Sequence, residues 1–235
     1  DESQLFEFQQ RDKYVDKYHV ISKKTEQQVK NLTDKPIFTK PFWVNQNIFY
    51  QLENKDVIRK KYNIDSSDFV IGSFQRDTEG SDLISPKLSK GPDRFVQVIE
   101  YFVKNKSNIT VLLAGKRRNF IINELEKRGI NYKYFEMVDF TTLNELYNCL
   151  DLYVVSSRYE GGPQAILECA ISKTPIISTD VGVASEILAA ESIFTMDSIS
   201  DAKPNTNEAF KTVQKFTIPN GIEDYRNFFK ALYEN

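Results

Sequence analysis

The sequence predicts an α/β protein with a doubly wound, Rossmann-like parallel sheet. Short apolar runs alternate regularly with longer, helix-like runs from about residue 68 onward. Strands that alternate with helices of this length are typical of parallel sheets covered by helices on both faces. Polar or glycine-containing turns follow several of the apolar runs, and such sheets bind ligands beyond the carboxyl ends of their strands. We therefore expect a binding site at that edge of the sheet.

The composition is that of an ordinary globular protein. The 235 residues are 40% hydrophobic and 27% charged, which suits one large or two small domains. The formal net charge of −2 gives no general attraction to nucleic acid or acidic membranes, so no nucleic-acid partner is expected. The two cysteines do not make a disulfide scaffold, and no apolar stretch approaches membrane-spanning length. A reducing, cytoplasmic compartment is the expectation.

Residues 1–66 precede the regular alternation and are predicted to contain separate elements. A short strand is predicted at 18–22, a polar helix at 24–32, an extended aromatic segment at 37–44 and a longer helix at 48–62. The chain starts without an initiator Met or a signal-peptide core. We therefore expect it to be part of a longer protein.

Residues 67–220 carry the regular alternation and are expected to form a ligand-binding domain. Strands are predicted at 69–74, 109–114, 132–135, 152–155, 175–178 and 192–195, and helices at 93–104, 119–128, 143–149, 164–172 and 184–188. The segment 221–235 is predicted to be an amphipathic helix with an aromatic face. Its expected role is structural, and a partly exposed aromatic face invites homodimerisation.

The stretch 151–186 holds the clearest functional pattern. An apolar run is followed by a polar turn, by the string E-G-G-P at residues 160–163 and by a helix-like segment. Pro163 suits the first helical position, because its missing N–H would have no helical partner in any case. The glycines let a ligand approach the backbone, and the helix N-terminus then offers unpaired N–H groups to a phosphate or another anion. Two carboxylates, Glu160 and Glu168, flank this crevice.

The ordered string around this turn resembles the E-x7-E signature of retaining glycosyltransferases of the GT-B fold, the family-four type also described as group 1. The residues that carry the resemblance are Glu160, Gly161, Pro163, Glu168, Pro175, Gly182 and Glu186. The resemblance implies that 67–220 is the nucleotide-sugar-binding half of such a fold. It also implies that 1–66 is a remnant of the N-terminal, acceptor-binding domain with its linker, and that 221–235 is a helix that crosses back to that domain. The implied activity is transfer of a sugar, with retention, from a UDP- or GDP-sugar to a glycan, lipid or small acceptor.

The resemblance also implies roles for individual residues. Glu160 would contact the sugar hydroxyls, and Glu168 would accept hydrogen bonds from the ribose hydroxyls, which suits a group that only accepts. Nucleobase contacts would come from the loop around 136–140, with Val138 as the candidate. The other candidates for donor binding are Gly72, Lys116, Gly161, Gly162, Pro163, Gln164 and Ala165.

The loop after the first strand of this domain is the second informative place. It follows a Gly-Ser pair and ends at a Lys-Gly pair, which is similar to the family's arrangement of an Arg and a Lys that bind the donor diphosphate. Arg76 and Lys90 take those roles here, and with Glu160 they are the candidate catalytic residues. Fixed cations of this kind stabilise the charge that develops on a departing phosphate. The loop is longer than the family's, so Lys87 or Arg94 compete with Arg76.

No metal or other cofactor is expected, because Lys90, Arg76 and the amides near Gln164 supply positive charge to the phosphates. The lone histidine, His19, and the two scattered cysteines make no zinc-ligand pattern. Lys116 follows a glycine, but the surrounding residues lack the first glycine of a P-loop. Lys116 is expected to line the same crevice.

Several alternatives stay open. Glu186 is either a site residue or a first-turn acid favoured by its helix dipole. Lys173 stands where the family commonly has glycine, which weakens the expected end of the preceding helix. The alternative functions are a nucleotide-sugar epimerase or sugar phosphorylase on the same fold, and a non-catalytic nucleotide-sugar-binding module. Membrane association is expected only at the periphery and through a missing N-terminal domain.

Overall fold

The computed structural model describes residues 2–233 of the chain. Its seven strands are β1 (Tyr18–Val20), β2 (Ile37–Thr39), β3 (Phe69–Ser73), β4 (Ile109–Ala114), β5 (Asn131–Phe135), β6 (Leu152–Val155) and β7 (Ile176–Ser178). Its ten α-helices are α1 (Glu2–Asp12), α2 (Lys23–Lys30), α3 (Lys55–Lys61), α4 (Pro92–Asn105), α5 (Asn119–Lys127), α6 (Phe140–Cys149), α7 (Gln164–Ile171), α8 (Ala184–Ile187), α9 (Thr206–Val213) and α10 (Asn220–Tyr233).

Five of these strands form one parallel sheet in the order β5-β4-β3-β6-β7. The central strand, β3, places Ile71 opposite Val111 of β4 and Leu152 of β6. All six residues of β4 and all four of β6 are buried, as expected for strands covered by helices on both faces. The predicted α/β fold with a parallel sheet is confirmed.

The sheet divides the core into two clusters, because successive side chains of a strand point to opposite faces. Leu112 of β4 belongs to the cluster that also holds Leu146 of α6 and the buried face of α7. Its neighbour Val111 belongs to the other cluster, with Phe95 of α4 and Ile121 of α5. The sheet is thus held between two helical layers, and its carboxyl edge is left to the loops.

The first two strands form a separate parallel pair, on which the C-terminal helix packs. The rings of Phe38 in β2 and Phe228 in α10 stack with their centroids 4.2 Å apart. The buried Tyr225 of α10 donates its hydroxyl towards the carbonyl oxygens of Lys40, at 3.0 Å, and Pro41, at 3.1 Å. The helix predicted at the C-terminal end therefore packs against the N-terminal part of the chain, while the predicted division into three segments stays a prediction.

The helix predicted at 48–62 is wrong over its first half, because α3 covers only the second half. The backbone N–H groups of Tyr50 and Leu52 donate to asparagine side chains of α6, at 3.1 and 2.8 Å, and not to helical carbonyls. Asn54, which precedes α3, has a left-handed backbone with φ of 60°. Tertiary hydrogen bonds thus replace the helical ones that the local pattern favours.

The strand predicted at 192–195 is also wrong. Ala190–Ser192 forms a 3-10 turn, and the only sheet-like contact of the segment within residues 2–233 is an isolated bridge beside β7. The N–H of Phe194 donates to the carbonyl of Ser178 at 2.9 Å, but the next residue closes a turn on the hydroxyl of Ser198. A single bridge does not extend the sheet. The other strands predicted within 67–220 agree with the structure to within a residue.

None of the helices in the described part of the chain combines the length and the apolarity needed to cross a membrane.

Candidate functional site

A cavity of about 410 Å³ lies at the carboxyl edge of the sheet. The segments that follow β3, β4, β5 and β6 contribute to its wall, together with the inner faces of α6 and α7. The candidate residues that line it are Lys90, Val138, Glu160, Gly162, Pro163, Gln164, Ala165 and Glu168. The structure therefore brings together, at the predicted edge, most of the residues that the sequence singles out.

One end of the cavity is formed by an ion pair between Lys90 and Glu160. The Lys90 Nζ lies 2.5 Å from each carboxylate oxygen of Glu160, and the hydroxyl of Ser157 donates to Oε1 of the same carboxylate at 3.0 Å. The side chains of Lys90 and Glu160 are 28% and 10% exposed, so the pair is shielded from water but still open to the cavity. A cation and an anion thus meet where the chain turns into α7.

Gly91 fixes the position of Lys90 relative to the sheet. Its φ of +62° is in the left-handed region, and a Cβ at this position would lie 2.0 Å from the carbonyl oxygen of Ser156. The Ser156 hydroxyl donates to the Gly91 carbonyl at 2.8 Å, and the side-chain amide of Gln75 donates to the Lys90 carbonyl at 2.9 Å. The end of the long loop is therefore anchored directly to the strand ends.

The glycine turn before α7 packs against the loop before α8. Gly182 has a φ of +51°, and a Cβ there would lie 2.6 Å from the carbonyl oxygen of Gly161. Only glycine permits this approach. Pro163 was expected at the first helical position, but it precedes the helix: its ψ of 112° is extended, and α7 begins at Gln164. The first N–H groups of α7, which have no partner within a helix, are at the cavity wall.

Glu168 lies in the second turn of α7 and is partly buried. The hydroxyl of Tyr147 in α6 donates to its Oε2 at 2.6 Å. Burial raises the pKa of Glu168 to about 7, although the hydrogen bond from Tyr147 acts in the lowering direction. Near neutral pH this carboxyl group is therefore close to its titration midpoint and can either accept or donate a hydrogen bond.

The opposite end of the cavity follows β5 at the edge of the sheet. Glu136, Met137 and Val138 form its wall, and Leu143 of α6 closes it. Glu136 and Met137 are exposed, whereas Val138 packs against the core. This end is mostly apolar and carries one carboxylate.

The structure does not bring every candidate to this cavity. Arg76 is exposed, and its Nε donates to the carbonyl of Thr78 at 2.8 Å, so its guanidinium is held by its own loop. Gly72 lies inside β3, and a Cβ there would collide with the side chain of Leu150, so the position requires glycine for packing. Gly161 lines a second cavity, of about 570 Å³, on the other side of Glu160.

Three further basic candidates also lie elsewhere. Lys116 lines an adjoining cavity of about 430 Å³, which shares Glu136 with the main one. Lys87 and Arg94 are partly buried and do not line the main cavity. Lys90 is the one lysine or arginine among the lining residues within 2–233.

Glu186 connects the sheet domain to the N-terminal part of the chain. Its Oε1 accepts a hydrogen bond from the backbone N–H of Lys23, the first residue of α2, at 2.8 Å. Beside it, the Lys24 Nζ lies 2.7 Å from the carboxylate of Asp180. Glu186 is also in the first turn of α8. The structure thus places Glu186 in an interface, and it does not line the main cavity.

Sequence reasoning missed several residues of the cavity wall. Gln75 lies two residues after the end of β3, and strand ends were already expected to face the site. Leu143 and Tyr147 lie four positions apart on α6 and face the cavity together. The helical periodicity of that segment could have predicted that both residues face the same side. No sequence pattern indicated the contact of Ser157 with Glu160.

Metal-binding residues are not clustered in the described chain. Among residues 2–233, no group of three or more His, Cys, Asp or Glu side chains is arranged to hold a metal ion. The Nε2 of His19 lies 3.0 Å from the carbonyl oxygen of Lys40 and 3.2 Å from the Tyr225 hydroxyl. Cys149 and Cys169 are buried and unbridged.

Comparison with known proteins identifies a family for this chain. The family model described as "Glycosyl transferases group 1" matches residues 54–211, which is more than half of the chain. A curated relative is the lipopolysaccharide core biosynthesis mannosyltransferase LpsB of Rhizobium meliloti, 23% identical over 146 residues. That match covers 59% of this chain and 39% of the relative.

Two solved structures resemble nearly the whole chain. Sucrose-phosphate synthase from Thermosynechococcus elongatus superimposes with a TM-score of 0.79 at 16% identity, over 100% of this chain and 62% of that one. Anabaena HepE, in complex with UDP and glucose, superimposes with a TM-score of 0.76 at 13% identity, over 98% of this chain and 68% of that one. At these identities the likeness shows the fold. The chain spans about two fifths of the curated relative and about three fifths of the synthase.

Proposed function

We propose that this chain, which belongs to the group 1 glycosyl transferases, binds a nucleoside-diphosphate sugar and transfers the sugar to an acceptor. The observation that carries the proposal is the Lys90–Glu160 pair at the start of α7, inside a cavity at the carboxyl edge of the sheet. A cation and helix N–H groups suit phosphates, and carboxylates suit the hydroxyls of sugars.

The dimensions of the cavity support an extended nucleotide sugar. It runs from the turn after β6, past β3 and β4, to the end of β5. Three spacings between neighbouring strands make about 14 Å. The sugar and diphosphate then lie near Glu160 and Lys90, the ribose near Glu168, and the base near Val138.

The chemistry follows from the charges that develop. The bond between the anomeric carbon and the diphosphate breaks, a bond to the acceptor oxygen forms, and the acceptor's proton passes to the departing phosphate. Lys90 and the first amides of α7 stabilise the negative charge on that phosphate more strongly in the transition state than in the bound donor. No metal is needed for this stabilisation. Retention by displacement on one face is part of the proposal and rests on the family resemblance.

The Lys90–Glu160 pair has a different role before and after donor binding. In the structure the two groups pair with each other. A diphosphate offers Lys90 a stronger partner, because two charges and several oxygens face one ammonium. Glu160 is then free to accept hydrogen bonds from the sugar hydroxyls. Donor binding thus exchanges an internal ion pair for two contacts with the substrate.

The relatives support a nucleotide-sugar donor and a glycan acceptor. HepE was solved with UDP and glucose, and LpsB is described as a mannosyltransferase of lipopolysaccharide core biosynthesis. UDP- and GDP-sugars are both kept as donors, and a glycan, lipid or small molecule as the acceptor. The whole enzyme's acceptor and partners are part of the proposal, because the chain spans only part of these relatives.

The test is a calorimetric titration of the chain with UDP, GDP, ADP and their glucose conjugates. We expect one diphosphate to bind, and Lys90→Ala and Glu168→Ala each to weaken its binding by about 1–3 kcal/mol, as loss of a charge-assisted hydrogen bond does. Lys87→Ala and Arg76→Ala are the controls, since both cations lie outside the cavity wall.

Three results would contradict or narrow the proposal. Absence of binding by every diphosphate contradicts it. Equal weakening by the control variants would show that the effect is general charge and not the site. Chromatography measures the release of diphosphate from the sugar conjugate. If the conjugate binds but no diphosphate is released, the non-catalytic binding module is favoured.

A further inference from the structure

Glu136 is the one carboxylate at the β5 end of the cavity. It follows β5 directly, lines the cavity and is exposed. Within residues 2–233 its carboxylate makes no hydrogen bond or ion pair, whereas Glu160 is held by Lys90 and Glu168 by Tyr147. Its two oxygens are therefore available to a ligand at this end of the cavity.

The proposed function decides which part of the ligand lies here. If Lys90 binds the diphosphate, the base occupies the opposite end, about three strand spacings or ~14 Å away. Met137, Val138 and Leu143 give that end an apolar wall that suits the flat face of a base. Glu136 then meets the polar edge of the base.

The three common bases differ in what they offer a carboxylate. Guanine presents two parallel donors, the ring N1–H and the exocyclic amino group, which match the two oxygens of one carboxylate. Uracil presents a single ring N–H between two carbonyl oxygens, and those oxygens face an acceptor-only group unfavourably. Adenine presents an amino group beside an unprotonated ring nitrogen, so it supplies only one donor. A carboxylate at this position therefore discriminates for guanine.

We infer that Glu136 selects the nucleobase and that the donor is a GDP-sugar. This inference rests on the proposed function and names the donor class of the same site. The competing partner for Glu136 is Lys116, which lines the adjoining cavity, but the structure shows no ion pair between the two groups. Glu136 remains free for the base.

The experiment measures the dissociation constants of GDP, UDP and ADP by calorimetry for the wild-type chain and for Glu136→Gln. The amide keeps the size of the side chain but replaces one acceptor by a donor. We expect GDP to bind the wild-type chain at least about tenfold more tightly than UDP does. The Glu136→Gln substitution should weaken the binding of GDP by about tenfold or more and change the binding of UDP by less than about twofold. Glu53→Gln, an exposed acid that does not line the cavity, is the matched control.

The outcomes separate this inference from the proposed function. Equal or tighter binding of UDP or ADP, or equal loss of all three ligands in Glu136→Gln, overturns the base assignment and leaves the nucleotide site intact. No binding of any diphosphate overturns both. Thermal unfolding of Glu136→Gln and Glu53→Gln, monitored by circular dichroism, checks that each variant remains folded. If the introduced glutamine forms its own hydrogen bond with the base, Glu136→Ala measures the loss of the carboxylate without that new contact.

Discussion

The Lys90–Glu160 ion pair lies in the cavity where the proposed donor would bind. Its atoms come from segments 70 positions apart in the chain, and neither side chain is fully exposed. A pair of this kind contributes little net stability, because the desolvation of both charges offsets their attraction. In the proposed function its consequence is chemical: each partner is held in place until a substrate replaces the other.

Replacing Glu160 by glutamine should separate binding from turnover. In Glu160→Gln the Lys90 ammonium loses its internal partner, so we expect the preferred nucleoside diphosphate to bind at least as tightly as in the wild type. Release of that diphosphate from its sugar conjugate should fall by about 10²- to 10³-fold, because the sugar hydroxyls lose the carboxylate that accepts their hydrogen bonds in the transition state. Calorimetry and the rate of release measure the two effects, and Glu79→Gln is the control outside the cavity. Loss of binding would contradict this role for Glu160.

The carboxyl group of Glu168 should make stability depend on pH. Burial raises its pKa in the folded state to about 7, from an ordinary value of 4.5. The folded state therefore holds the proton more tightly than the unfolded state, and the stabilising effect is complete below pH 4.5 and is lost as the pH rises through about 7. We expect the free energy of unfolding of the wild type to fall, relative to Glu168→Gln, by up to about 3 kcal/mol over this range. Urea unfolding at a series of pH values measures it.

Tyr147→Phe is the companion variant for this pH dependence. The Tyr147 hydroxyl donates to Glu168 and lowers its pKa. Without that hydrogen bond the pKa of Glu168 should rise further, so the midpoint of the stability change should move to higher pH. Parallel stability curves for the wild type and Glu168→Gln would show that Glu168 is not the titrating group.

The long loop ends in a 3-10 turn, Leu88–Lys90, which depends on Gly91. Gly91 and Gly129 share a φ of +62°, but a Cβ at Gly91 would meet the Ser156 carbonyl at 2.0 Å, whereas nothing lies within 4 Å of one at Gly129. We expect Gly129→Ala to cost about 1 kcal/mol, from backbone strain alone, and Gly91→Ala to cost at least about 2 kcal/mol more, because the strand end or the loop must move. Chemical denaturation measures both costs.

Gly91→Ala should also displace Lys90 and weaken nucleotide binding, while Gly129→Ala should not. Similar costs for the two variants would mean that the approach of Gly91 to Ser156 relaxes without consequence.

Helix α7 ends in a Schellman arrangement without the usual glycine. Thr174 N–H donates to the Cys169 carbonyl at 2.9 Å, and Lys173 N–H donates to the Ala170 carbonyl at 3.4 Å. The backbone of Lys173 is left-handed, with a φ of 54°. The Lys173 Nζ lies 4.5 Å from the centroid of the Phe210 ring. The cation over the ring compensates for part of the backbone strain.

Two substitutions at Lys173 separate these effects. Both Lys173→Gly and Lys173→Ala remove the contact with Phe210, but only glycine relieves the left-handed strain. We expect Lys173→Gly to be more stable than Lys173→Ala by about 1 kcal/mol. Thermal and urea unfolding of the pair measure the difference. An alanine variant as stable as the glycine variant would show that the left-handed conformation carries little strain here.

The two ends of the chain are held together by aromatic packing around β1, β2 and α10. Tyr225 is buried there and its hydroxyl is within hydrogen-bond distance of two carbonyl oxygens and His19. We expect Tyr225→Phe to destabilise the chain by about 1–2 kcal/mol, because the buried acceptors lose their donor. Tyr233→Phe, which removes a hydroxyl from a side chain 93% exposed, should be neutral. Unfolding in urea tests both. A neutral Tyr225→Phe would mean that ring packing alone holds the two ends.

Homodimerisation through α10 stays a prediction. Tyr225 and Phe228 pack against the strand pair, while Phe229 is 61% exposed. The predicted aromatic face is therefore covered at Tyr225 and Phe228, whereas Phe229 and Leu232, the latter 43% exposed, leave apolar surface available to a second copy.

The pattern of apolar runs determined the sheet. The strands at 109–114 and 152–155 were predicted with their observed bounds, because a strand buried on both faces needs an uninterrupted apolar run. The position of the site at the carboxyl edge followed from the parallel alternation. The glycine turn before α7 was predicted from the residue types alone. A tight turn needs glycine for its backbone geometry, and the start of a helix favours particular residues.

Only the tertiary structure decided which distant groups meet. The pairing of Lys90 with Glu160, the exclusion of Arg76 from the cavity and the contact of Tyr147 with Glu168 all depend on the order of strands and the path of a long loop. The helix predicted at 48–62 failed for the same reason, since side chains of α6 took the hydrogen bonds of its first half. Local patterns report propensity and periodicity, whereas these contacts are set by the packing of segments that are far apart in the sequence.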